Sequence, residues 1–103
     1  MSSVKLDMLK KTGQNVIKNI VFSQHAEMKF EILEEHGFPV DKNLVISTME
    51  KPQEIDRGYK GRKIAQKIID ERHVLRVVYE DLPDRLRVIT FYPGRRERYE
   101  GKV

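Results

Sequence analysis

The sequence predicts an α+β domain, with two helices packed on one face of a twisted, mainly antiparallel sheet of four to five strands. Three observations predict it. Between residues 24 and 50, apolar residues recur at a period near 3.6, in two blocks broken by His36-Gly37 and Pro39. From residue 53 the period changes to two. The apolar runs there are separated by short turn signals, which join antiparallel neighbours and leave no room for crossovers.

The elements follow in order. In residues 1–15, Val4, Leu6, Met8 and Leu9 suit a short strand or a helical turn, and Thr12-Gly13 reads as a break. Residues 16–22 are a β-branched run, predicted as a strand entering the core. Ser23 then caps a helix by accepting from its first free N–H groups. That helix runs to about Glu35 and stops at Gly37, with His36 near its negative end. Ala26, Met28, Phe30, Ile32 and Leu33 form its broad apolar arc. A second helix starts near Asp41, turns Leu44, Val45, Thr48 and Met49 inward, and ends before Pro52. The short link makes the two a helical hairpin.

Four strands follow: 54–59, a Lys60-Gly61 turn, 64–69, an Asp70–Arg72 turn, 74–79, an Asp81-Leu82-Pro83-Asp84 loop, and 86–92. Pro93-Gly94 stops the last. Strand alternation sets Leu75, Val77 and Tyr79 on one face, and Val74, Arg76, Val78 and Glu80 on the other. It likewise sets Leu86, Val88, Thr90 and Tyr92 against Arg87, Ile89 and Phe91. The reading is therefore one domain: an arm over 1–15, a strand plus helical hairpin over 16–50, and an antiparallel meander with a basic tail over 53–100.

A chain of 103 residues is long enough for one modest core. Charged residues make up 35% and hydrophobic ones 39%, and no run approaches the roughly 20 apolar residues of a membrane span. The N-terminus carries no secretory pattern. With no cysteine, disulfides, thiolate catalysis and cysteine-based zinc sites are excluded, and a reduced, cytoplasmic setting is expected. The net charge is +4, but its distribution is uneven. Residues 1–56 hold seven Lys against nine acids; residues 57–103 hold nine Arg and four Lys against seven acids. The guanidinium fork grips phosphate with two hydrogen bonds, so the second half is a candidate polyanion surface.

Within that half, Arg76 and Arg87 stand either as phosphate contacts or as salt-bridge partners of Glu80 and other acids. The tail from Pro93 carries Arg95, Arg96, Arg98 and Tyr99, which suit phosphate clamping and base stacking, or a solvated turn with Tyr99 on its rim. His25 at the first helix start is a candidate general acid or base, with packing against the sheet as the alternative. Lys29 lies one turn later on the same face. His36 reads as a helix-end residue and His73 as a surface residue beside its turn. Three histidines without ligand spacing give no metal signature, and no cofactor motif is present.

The segment His25-Ala26-Glu27-Met28-Lys29-Phe30 resembles the HAxx(R/K) start of a family of small uncharacterised prokaryotic domains related to RelE/ParE-like and BrnT-like toxins. Gly61-Arg62, residues 75–79, residues 88–93 and the stretch from Arg95 to Tyr99 resemble the same family's sheet and tail. The likeness spans about residues 20 to 100. Lys29 departs from the arginine common at its place and keeps the charge. The resemblance implies a RelE-like, microbial-ribonuclease-like fold and a toxin-type endoribonuclease, with an antitoxin as possible partner. In that chemistry the RNA 2′-hydroxyl attacks the adjacent phosphate. A base and an acid move the protons, and cations stabilise the crowded phosphate.

Carried onto matching positions, His25, Arg76 and Tyr99 are the catalytic candidates. Lys29, Arg62, Tyr79, Arg87, Arg95, Arg96 and Arg98 are the RNA- or phosphate-binding ones. RNA or the ribosome is then the expected partner, with no metal, no cofactor and no membrane. The alternatives are a non-catalytic RNA- or ribosome-binding module and a protein-interaction domain of the same fold.

Overall fold

The computed structural model describes residues 4–7 and 17–99. It is an α+β fold with a six-stranded mixed sheet, ordered β1-β2-β6-β5-β4-β3. The strands are β1 (Val4–Asp7), β2 (Ile17–Phe22), β3 (Glu54–Arg57), β4 (Lys63–Ile68), β5 (His73–Asp81) and β6 (Arg85–Arg95). The helices are α1 (Gln24–Glu35), α2 (Lys42–Glu50) and the four-residue α3 (Arg96–Tyr99). The expected meander is β3 to β6, antiparallel throughout. β2 joins it by parallel pairing with β6, and β1 adds an edge strand against β2. Of the 1–15 arm, Val4–Asp7 is thus a strand; the reading of Met8, Leu9 and Thr12-Gly13 lies outside the described residues, as does Glu100.

Both helices start where side chains satisfy their free N–H groups. Ser23 Oγ accepts from Ala26 N–H at 3.0 Å and Asp41 Oδ1 from Leu44 N–H at 2.8 Å. α1 ends in a Schellman turn: Phe38 N–H reaches Leu33 O at 2.9 Å and Gly37 N–H reaches Glu34 O at 3.0 Å. Gly37 sits at φ 80°, where a side chain would be strained. The turn aims Phe38 back at the sheet.

The core lies between the helical hairpin and one sheet face. Ile20, Val45, Leu75, Val77, Leu86, Val88 and Phe91 are fully enclosed there. α2 buries Val45, Thr48 and Met49 as expected. α1 corrects the sequence reading: its broad arc narrows to Ala26, Phe30 and Leu33, while Met28 and Ile32 face outward at 55% and 36% exposure. Positions 26, 30 and 33 follow one stripe along the helix; 28 and 32 fall off it.

A β-bulge corrects the last strand. Tyr79 pairs with Val88, but Val78 pairs with Thr90, so Ile89 is an extra residue. The side-chain parity therefore flips. Leu86, Val88 and Phe91 all enter the core, and Thr90 and Tyr92 turn to the opposite face with Arg76. The bulge also moves the far end of the ladder by one residue, so that His73 lies opposite Arg95.

Candidate nucleic-acid interface

On the sheet face away from the hairpin, Arg76 is a hub. It pairs with Tyr92 across β6 and with Gln66 across β4. Its Nε donates to Tyr92 Oη at 3.0 Å, and its Nη1 donates to Asp56 Oδ2 at 3.2 Å and to Gln66 Oε1. The Tyr99 ring stacks over its guanidinium, 4.3 Å from the centroid. Arg76 is 7% exposed. Nε and Nη1 are engaged within the protein and the Tyr99 ring covers the guanidinium, so this arginine fastens α3 and β3 to the sheet. The structure thus brings Arg76 and Tyr99 together as expected, but as a packed pair.

Further down this face, Glu80 is shared. Arg87 donates to it at 3.3 Å and Arg62 Nε lies 3.6 Å away. Both guanidiniums are thus paired with the same carboxylate, and a salt bridge to Glu80 is the alternative that the sequence left open for Arg87. Tyr79 corrects a second expectation. It faces the core at 4% exposure, and burial pushes its phenol above the ordinary value, so it has no free ring face for a base.

His25 is exposed at the start of α1, with Nε2 3.2 Å from Thr90 Oγ1. Lys29 is half-buried one turn later. The arginines do not gather into one hollow beside α1. Arg62, Arg76, Arg85 and Arg87 are each paired with an acid.

One tail cation, Arg95, lies instead beside Arg72 at the end of the sheet where β5 begins and β6 ends. A cleft of about 380 Å³ is lined there by Arg72, His73, Arg95 and Glu97. Among the described residues, neither Arg72 nor Arg95 forms an ion pair. Arg96 ties α3 to the turn before β5: its N–H reaches Arg72 O at 2.8 Å, and its Nη1 faces the carbonyls of Asp70 and Glu71 at 3.5 and 3.4 Å. Arg98 is exposed on α3.

Asp70 shapes the turn by accepting from the N–H groups of Arg72 and His73, each at 2.8 Å. The Arg72 N–H first, and beyond it the His73 ring, hold the Asp70 carboxyl below its ordinary value. Two cations, an imidazole and a carboxylate around one opening can bind a phosphate and move protons beside it.

Of these four, sequence reasoning singled out Arg95 for phosphate. It missed Arg72 and Glu97 and read His73 as a bland surface residue. The Asp70-to-His73 spacing within a turn was a visible signal, since Asp side chains cap the backbone two and three residues on. The pairing of His73 with Arg95 was not visible, because it depends on the bulge at Ile89.

Among the described residues no three His, Asp or Glu side chains converge on a metal position, and no helix is long and apolar enough to cross a membrane. Searches of family models, curated proteins and solved structures find no significant match to the chain.

Proposed function

We propose that the protein acts on RNA as a RelE-like, toxin-type endoribonuclease that takes a backbone phosphate into the cleft at the β5–β6 sheet end. One observation carries this reading: Arg72 and Arg95, free of carboxylate partners among the described residues, line the same opening as His73. Unpaired guanidinium groups in a concave site have an anion as their natural ligand. The basic excess of residues 57–103 adds a long-range attraction for a polyanion. The order of motifs from His25 to Tyr99 supports the toxin-type assignment by resemblance.

The test is RNA binding across a salt series, with the full chain and single-stranded RNA. Wild-type affinity should fall linearly on a log–log plot. The slope should drop by about 0.7 for each phosphate contact removed in Arg72→Ala and Arg95→Ala. No binding at low salt, or binding untouched by both substitutions, defeats the reading. Incubation with mRNA, free and on ribosomes, then separates an enzyme from a non-catalytic binding module.

A further inference from the structure

The cleft contains a histidine held more firmly than RNA binding requires. His73 Nδ1 lies 3.0 and 3.1 Å from the two carboxylate oxygens of Asp70. Asp70 is ionised at neutral pH, since its carboxyl is held below the ordinary range. An ionised carboxylate only accepts, so Nδ1 carries a proton and Nε2 is the ring's working end. The Phe38 ring meets the imidazole edge-on, with centroids 4.7 Å apart, and restricts its plane.

The other charged groups facing His73 across the cleft are Arg72 from its own turn, Arg95 from β6 and Glu97 from α3; the helical hairpin contributes the Phe38 ring. An acid oriented by a third group, a separate carboxylate and two phosphate-gripping cations thus surround one opening.

We propose that His73, oriented by Asp70, is the general acid and Glu97 the general base for cleaving an RNA phosphodiester held by Arg72 and Arg95. This assignment rests on the RNA reading above and places the chemistry away from His25. The Glu97 carboxylate takes the 2′-hydroxyl proton. The 2′-oxygen attacks phosphorus, the O2′–P bond forms and the P–O5′ bond breaks. His73 Nε2 gives its proton to the departing 5′-oxygen. Arg72 and Arg95 offset the charge on the crowded phosphate. The products are a 2′,3′-cyclic phosphate and a 5′-hydroxyl. Exchange with water returns a proton from Glu97 to His73, and no electron changes hands.

The experiment incubates the full chain with mRNA, free and on ribosomes, and maps the cut ends. Wild type should leave 2′,3′-cyclic phosphate ends, fail on a free RNA carrying a 2′-deoxy nucleotide at the mapped site, and show a bell-shaped rate against pH. His73→Asn retains an N–H for Asp70 but has no titrating group, and should lose at least ~100-fold in rate while still binding RNA. Glu97→Gln, at an exposed position of α3, should do the same without burdening the fold. Cleavage surviving in His73→Asn, all the more if His25→Ala loses it, overturns the proposal and leaves the RNA reading standing. Binding without cleavage overturns it together with the endoribonuclease reading and leaves only an RNA-binding protein. Failure of the wild type to bind RNA removes both together.

Discussion

The Arg76 guanidinium lies 4.3 Å from the centre of the Tyr99 ring, so the short α3 helix is fastened to the sheet by a buried cation. Gly94 makes the contact possible. A Cβ at Gly94 would overlap the Tyr99 ring. Tyr99→Ala should therefore lower unfolding free energy by about 1–2 kcal/mol, the range of a partly desolvated cation–π contact. Tyr99→Phe keeps the ring and should stay within about 0.5 kcal/mol of wild type. Gly94→Ala should match Tyr99→Ala by displacing the ring. Urea midpoints check all three; a wild-type midpoint for Tyr99→Ala would show that the stack contributes nothing.

Arg76 itself has the larger effect. Arg76→Ala leaves Gln66, Tyr92 and Asp56 without their common donor and opens a void under Tyr99. The lost packing and the buried polar groups left unpaired cost about 2–4 kcal/mol. Arg76→Met fills more of that space and should be milder. Asp56→Asn should cost less than either, because the Asp56 side chain is 38% exposed and water replaces part of the interaction. Equilibrium unfolding by two probes orders the three; Asp56→Asn emerging as the worst would contradict the hub assignment.

Ser23 does two jobs. Its Oγ accepts from Ala26 N–H to cap α1 and donates to Ile89 O at 2.9 Å, at the bulge of β6. Ser23→Ala should cost about 1–2 kcal/mol, since it loses a cap and strands a carbonyl. Asp41→Ala, whose side chain caps α2 through one contact to Leu44 N–H, should cost about 1 kcal/mol. Thermal melts of the two variants should keep that order; equal losses would mean that the Ile89 contact adds nothing.

On the hairpin side, Asp81 sits between two lysines. Its Oδ1 accepts from Lys18, and Lys63 Nζ donates to Oδ2 at 2.9 Å. Partial burial works against ionisation, but the two lysines outweigh it and hold the Asp81 carboxyl below its ordinary value. The hydrogen bond to Asp81 in turn raises Lys63 above its ordinary value. A lowered carboxyl stabilises the fold above its unfolded pKa and loses that contribution as pH falls through the folded one. A raised lysine stabilises below its unfolded pKa and fades as pH rises through the folded one. The cluster therefore contributes fully between about pH 5 and pH 9. Asp81→Asn should cost up to about 1 kcal/mol at pH 7, reduced by the 26% exposure of the carboxylate, and the cost should shrink below about pH 4. Urea unfolding of both proteins at pH 7 and pH 3 reads the difference; a gap of equal size at both would exclude an ionic origin.

The sequence by itself determined what is set within a turn or a pleat. The caps at Ser23 and Asp41, the Gly37 stop, the inward face of α2 and the alternation Leu75-Val77-Tyr79 follow from neighbours a few residues apart. These are enough to specify the α+β class and the antiparallel meander. Tertiary structure decided what depends on register between distant strands. One extra residue at Ile89 put Phe91 in the core, turned Tyr92 toward Arg76 and set His73 against Arg95. A straight ladder would have set His73 against Gly94. Whether a guanidinium is spent on Asp56 and Gln66 or left open in a cleft is a matter of which side chains lie across the sheet. Residue type and spacing along the chain do not carry that information.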